Sequence, residues 1–568
     1  MKIMENSLVQ KQLRQLTELF FHRFFDSEMF ATPHADMHLL FVQILALLVM
    51  PGVLKTLGSI NKYLLIAMTP GVNWDQAILI DTYSFLVLSM ILTGFITVFE
   101  WDALFPDDKD IYNLTPLPIK PRTLFFAKVL TLSLFVAFTN IAINGVSTVL
   151  FPGVALSASG KPSSAGIMYT AGHGISLLLS SVFVFTLAIA VRALFSLLFP
   201  ARFVRAVSRY TQLALILLLL CAFLTDLQPA RMIMEKNPLI YWLPSFWFLG
   251  LYEVIIGHHD FVFSILAKTA CTAVLLSFVV AILSYVISYL SSMQKGFQSS
   301  GIASLRVSVV RKTCTWILHK TILKGSSNRA LFHFVAQTLF RRREHFLYCG
   351  SFVMAGIALI YSIGKSLGPH PYEHLHLLLS FPLIMSYAIL VGLRFAFSVP
   401  ADLNANWLFK TINKRKLEMS YGGIQVFMFC AANIPLLLVF VPFYLHAYDI
   451  RIVGLHVLFA SVLSFLLIKL LLFRFDKLPF ACSYIPGKAN LRALWLPYLL
   501  SFFAYAFGTT GIELWLLHDM KAYTIFILIV GIAIIGMSIN RSSFLRGNRD
   551  IQFEEEPEQA VYVLTIEG

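Results

Sequence analysis

Residues 77–99 read AILIDTYSFLVLSMILTGFITVF, an apolar run of 23 residues whose single charge is Asp81. As a helix it rises about 35 Å, enough to cross the roughly 30 Å hydrocarbon core of a bilayer. A backbone in hydrocarbon must satisfy its own hydrogen bonds, so a run of this length reads as a helix. Working outward, comparable runs occupy 37–54, 129–151, 172–191, 210–225 and 261–287, then 347–363, 375–397, 424–445, 453–473, 494–517 and 523–539. The short-period alternation of a barrel strand is absent. Composition agrees: 58% of residues are hydrophobic and 13% charged, against about 25% charged in a soluble domain. The expected fold is all-α, a polytopic integral membrane protein with about twelve transmembrane helices.

Lysine and arginine set the expected orientation. With the N-terminus in the cytoplasm, 34 of the 44 basic residues fall in cytoplasmic segments and 8 on the opposite side, with Lys268 and Lys469 inside spans. Both termini are therefore expected in the cytoplasm, and the membrane is expected to be the cell membrane. The net charge of +14 is explained by this loop bias and by contact with anionic lipid head groups, and no nucleic-acid partner is expected. The first 36 residues carry no cleavable signal pattern. None of the six cysteines falls in a segment placed outside, so no disulfide framework is expected. Reporter fusions after residues 110, 200, 310, 405, 480 and 550 are expected to report cytoplasm, and those after 65, 160, 240 and 370 the opposite side. A cytoplasmic signal at 240 would remove the span at 210–225 and collapse the scheme.

The longest cytoplasmic segment divides the spans six and six. The expected organisation is an amphipathic interfacial helix within 1–36, a first six-helix half at 37–290, a basic linker at 291–346 ending in a second interfacial helix, a second six-helix half at 347–540, and a cytoplasmic tail at 541–568. Both interfacial segments mix aromatic and basic residues, LTELFFHRFF in the first and ALFHFVAQTLFRRREHF in the second. Phe105-Pro106-Asp107 follows the second span of the first half, and Val399-Pro400-Ala401-Asp402 follows the second span of the other. This reads as an internal repeat in parallel orientation, an arrangement frequent in transporters.

Few ionisable residues lie inside spans, which argues against an ion-driven mechanism. Asp81 and Glu513 stand near outer ends, and with Lys268 and Lys469 they are expected to snorkel or pair at an interface. Asn140, Asn144 and Asn433 are expected to bond between helices. Gly364-Lys365-Ser366 has Leu359 where a phosphate-binding loop needs its first glycine, so the chain is not expected to hydrolyse ATP itself. His370-Pro371-Tyr372-Glu373-His374 matches a metalloprotease string, but prolines flank the first histidine and keep it out of a helix. His258-His259-Asp260 reads as a polar loop. No catalytic, metal or cofactor site is expected in this chain.

Segment 100–128, EWDALFPDDKDIYNLTPLPIKPRTLFFAK, is long for a connector, acidic at its start and basic at its end, with four prolines to shape it. It suits a surface that docks a cytoplasmic partner, through Phe105, Pro106, Asp107, Asp108, Lys109, Leu117, Pro118, Lys120 and Arg122. From this segment, residues 1–290 resemble the membrane subunits (permeases) of type-2 ABC exporters. The resemblance rests on the N-terminal amphipathic helix, the Leu117-Pro118-Ile119-Lys120 turn with Lys128, and the outer loop 226–260 with its Leu243-Pro244-Ser245-Phe246-Trp247-Phe248-Leu249-Gly250 string. It implies a coupling helix after the second span, a re-entrant segment between the fifth and sixth, and a separate cytoplasmic ATPase subunit that binds the ATP and drives export of a lipid, glycan, peptide or drug-like substrate. The competing expectations are an ATP-independent transporter or flippase, and a membrane-embedded enzyme.

Overall fold

The computed structural model describes residues 2–23, 37–66, 71, 73–101, 104, 114, 117, 119–199, 201–225, 227–295, 316, 318–320, 323, 325–367, 374–401, 406, 421–446, 448–473, 475, 478–481 and 491–546. Among these the regular structure is entirely helical. The chain forms two compact units, Met1–Ile302 and Ala303–Gly568. The first holds α1 (Lys2–Arg23), α2 (Met37–Ile66), α3 (Trp74–Phe99), α4 (Pro121–Ser159), α5 (Gly166–Leu198), α6 (Ala201–Leu224), α7 (Pro229–Met234), α8 (Pro244–Ile255) and α9 (Phe261–Lys295). The second holds α10 (Ser326–Arg341), α11 (Arg343–Ser366), α12 (Leu375–Ala396), α13 (Tyr421–Leu445), α14 (Ile450–Leu471), α15 (Pro497–His518) and α16 (Met520–Arg546). Helices α13 and α15 each contain a π-helical turn, at Leu436–Phe440 and Ala504–Gly508.

Among the described residues eleven helices are long and apolar enough to cross a membrane. They cover every expected span except 37–54, which lies within α2. The helices start and stop where local chemistry dictates. Asn73 caps α3, accepting from the Gln76 amide at 3.2 Å, which satisfies one of the amides that a helix start leaves unbonded. Pro121 opens α4, where its missing N–H costs nothing, and Gly160 at φ 66° closes it.

Within each unit the helices follow one packing plan. Helix α1 lies on α4 in the first unit, and α10 lies on α13 in the second. The second spanning helix is central in both: α3 packs on α4, α5 and α6, and α12 packs on α13, α14 and α15. Next, α5 packs on α9, and α14 packs on α16. The units differ at their first spanning helix, since α2 rests mainly on α4 whereas α11 rests on α12. Polar residues join the centre of the first unit. Asn144 Nδ2 donates to Ser89 Oγ at 2.8 Å, Ser89 and Ser181 hydroxyls meet at 2.9 Å, and Asn140 Nδ2 reaches Leu177 O at 3.4 Å. Asn433 departs from expectation, donating to Phe429 O of its own helix at 3.0 Å.

Between α6 and α9 the chain folds back. Helix α8 runs into the unit beside α9, burying Phe246, Phe248 and Leu249 completely. Its first turn reaches α3, where Ser245 Oγ donates to Tyr83 OH at 3.1 Å. Its aromatic residues reach mid-α5, with Phe183 and Phe248 ring centres 5.8 Å apart. Gly257, at φ 103°, makes the turn into α9. Gly250 sets the approach: a Cβ there would stand 2.4 Å from Leu266 Cβ and 3.0 Å from Phe263 O. Gly250→Ala is therefore expected to cost about 1–3 kcal/mol by overpacking. Thermal unfolding of the detergent-purified chain measures it, and an unchanged midpoint would contradict the close packing.

Candidate functional site

The turn after α3 is built from both of its ends. Trp101 and Leu104 are buried, and burial pushes the neighbouring Glu100 carboxyl up to about 7. Further on, Leu114 and Ile119 pack against Leu16 and Phe20 of α1 and against Leu124 and Ala127 of α4. Backbone bonds tighten the turn: Leu117 N donates to Leu114 O at 3.2 Å and Ile119 N to Leu117 O at 2.7 Å. The Lys120 carbonyl accepts from Thr123 and Leu124 at 2.8 and 3.3 Å. Leu117 is left 48% exposed, beside exposed Lys120 and Arg122.

Phe105, Pro106, Asp107, Asp108, Lys109 and Pro118 lie outside the described residues. The structure corrects the expected extent of this loop. Residues 121–128 are the first two turns of α4, because Pro121 starts a helix as readily as it stops one. Lys128 is consequently buried, its ammonium 4.8 Å from the Phe20 ring centre. Helix α1 thus acts as a strut that fixes the turn against α4.

A second feature is the pairing of ionisable groups inside each unit. Asp81 is 3% exposed and accepts from Lys62 Nζ at 3.0 Å, with Lys55 Nζ at 3.6 Å. Glu253, at the end of α8, meets His258 Nδ1 at 2.6 Å. Burial pushes the Glu253 carboxyl up, and His258 opposes that shift. Lys161 bridges Asp75, at 2.5 Å, and Tyr169 OH, at 2.8 Å.

In the second unit Glu513 and His456 are 0% and 1% exposed, and His456 Nδ1 lies 2.9 and 3.0 Å from the two carboxylate oxygens. Of the two alternatives expected for Asp81 and Glu513, pairing holds and snorkelling does not: both are enclosed, and each is matched by a base. Lys469 bonds Gln425 Oε1 at 2.9 Å, while Lys268 is exposed on α9. His456 carries no sequence signal of its own. It stands about two turns inside α14, and Glu513 stands at similar depth from the end of α15, so matching acids to bases by depth would have found the pair.

The remaining strings lie at helix ends or turns. Gly364-Lys365-Ser366 is the last turn of α11. His374 is exposed at the start of α12, and residues 370–373 lie outside the described ones. His258 is engaged by Glu253. Among the described residues no group of three metal-ligating side chains converges. No protein-family profile matches this chain, and neither a curated protein nor a solved structure matches it.

Proposed function

We propose that this chain is the membrane subunit of an ATP-driven exporter of the type-2 ABC kind. In this reading it crosses the cell membrane twelve times with both ends in the cytoplasm, and a separate ATPase docks on the turn at Leu117, Lys120 and Arg122. The observation that carries the reading is the bracing of that turn: α1 and α4 clamp Leu114 and Ile119 while the neighbouring Leu117, Lys120 and Arg122 remain exposed. A held, exposed turn at the end of a spanning helix suits transmission of force from a soluble partner. Two further features support it. The placement of an amphipathic helix on the third spanning helix recurs in the second unit, and α8 folds back beside α9 where the resemblance implies a re-entrant segment.

The test is capture of the full chain from its native membranes. A cytoplasmic protein with a phosphate-binding loop should co-purify, and ATP hydrolysis should follow the complex. The chain alone should hydrolyse ATP no faster than background, because no phosphate-binding loop is legible in it. Hydrolysis by the isolated chain, or absence of any ATPase from the captured material, would overturn the proposal.

A second reading, an ATP-independent transporter, is favoured by one observation. The Glu513–His456 pair lies within spanning helices, where ionisable residues often mark proton or ion paths. Substrate uptake that collapses with a protonophore and persists without ATP would select it.

A further inference from the structure

Among the described residues, four buried polar atoms without a hydrogen-bond partner gather in one part of the first unit: Ser59 Oγ on α2, and Ser176 Oγ with both ring nitrogens of His173 on α5. Aromatic contacts tie them together. The His173 ring centre lies 5.4 Å from Phe85, 5.0 Å from Phe151 and 6.4 Å from Tyr252, and Tyr63 lies 6.2 Å from Phe151. Beside them, the Tyr63 hydroxyl is within hydrogen-bonding reach of Asp81, and Tyr252 of Thr82. His173 is 1% exposed. Buried polar atoms are nearly always satisfied, because an unmade bond forfeits the group's hydration with nothing in return. Their concentration around one histidine describes a set of groups arranged for something else.

Their chemistry points one way. Hydroxyls, an imidazole N–H and two ammonium groups are all able to donate. Lys55 and Lys62 share the one carboxylate of Asp81, which leaves one positive charge in excess. The lysine side chains are 33% and 37% exposed whereas the Asp81 side chain is only 4% exposed, so the bases form the accessible edge. An anion with several acceptor oxygens, of the phosphate class, matches such an edge. Helix α2 also supplies the second half of the recognition. Lys55, Ser59, Lys62 and Tyr63 recur at helical spacing on one side, while Leu54, Leu57, Leu64 and Leu65 are 50–72% exposed on the other. A phosphate next to that leucine face would carry an apolar tail.

We propose that Lys55, Lys62, Tyr63 and His173 bind the phosphate headgroup of an anionic membrane amphiphile. That this amphiphile is also the exported substrate rests on the exporter reading above; the binding site does not.

The experiment uses the purified full chain, stripped of lipid, with phosphatidylglycerol and phosphatidylcholine offered separately and bound lipid counted by native mass spectrometry. Phosphatidylglycerol should be retained about tenfold better, the gain expected of a charge-assisted contact. The variant K55Q/K62Q/D81N removes both signs together, leaves no unpaired charge, and should abolish the preference. His173→Phe keeps the aromatic packing and should lower retention severalfold. If the triple variant does not fold, Lys55→Gln leaves the Lys62–Asp81 pair in place and should also weaken the preference. Inorganic phosphate should displace the lipid only at far higher concentration. Equal retention of both lipids would overturn the site. So would a preference that survives these variants, as expected if water alone satisfies the buried groups. Displacement by equimolar phosphate would overturn the amphiphile. Capture of an ATPase is scored separately, so either proposal can fail while the other stands.

Discussion

Replacing His456 with alanine should destabilise the second unit by about 3–5 kcal/mol, the usual cost of leaving one member of a buried pair alone. Glu513 is fully enclosed, and among the described residues its carboxylate is held by His456 Nδ1, at 2.9 and 3.0 Å. Without the imidazole its carboxyl group has neither water nor a partner. The site has no easy relaxation: Tyr444, whose ring centre lies 5.8 Å from His456, already donates to Leu378 O. Replacing both residues together, as H456L/E513M, removes both desolvation costs and should recover most of the lost stability. Unfolding of the purified chain in mixed micelles measures each variant. An H456A protein as stable as the parent would show that the pair contributes nothing. A double variant no better than the single would show that packing volume, not charge, sets the cost.

The other large effect is expected at the docking turn. Reversing Asp107, Asp108, Lys120 and Arg122 together should release a cytoplasmic ATPase from the chain. Exposed pairs contribute about 0–1 kcal/mol each, so single substitutions should do little. Like charges set against each other across an interface cost several kcal/mol in sum, which corresponds to a loss of about a thousandfold in affinity. Membrane insertion should survive, because two acids become bases and two bases become acids, so the positive-inside count is unchanged. The fold should survive as well, since Lys120 and Arg122 are exposed and Leu114 and Ile119, which hold the turn, are untouched. Normal membrane levels with a lost partner support docking. An unchanged partner means the turn is not where it binds.

The two variants probe different terms of the physics. The first removes a contact from which solvent is excluded, where pairing and desolvation are both large. The second alters groups at a wet surface, where only a concerted change adds up. Comparing their effects on abundance separates a folding defect from an assembly defect: H456A should lower the amount of folded chain, and the four-fold reversal should not.

Much of the architecture was legible before any coordinates. Long apolar runs located eleven helices able to span a membrane, from 77–99 to 523–539, because length and hydropathy are properties of local sequence. The amphipathic segments before the first and seventh expected spans announced α1 and α10 for the same reason. What sequence could not supply was anything that depends on which helices meet. Asp81 looked like an interfacial acid until α2 brought Lys55 and Lys62 to it. Glu513 looked the same until α14 placed His456 against it. His173, the single histidine of α5, gave no hint of its aromatic enclosure. Hydropathy averages over a window and records how much of a helix is apolar, whereas pairing depends on the rotation and depth of two helices at once. Local sequence therefore determined the number, length and character of the helices, and tertiary packing alone decided which polar groups lie buried, which are paired, and which are left for a ligand to meet.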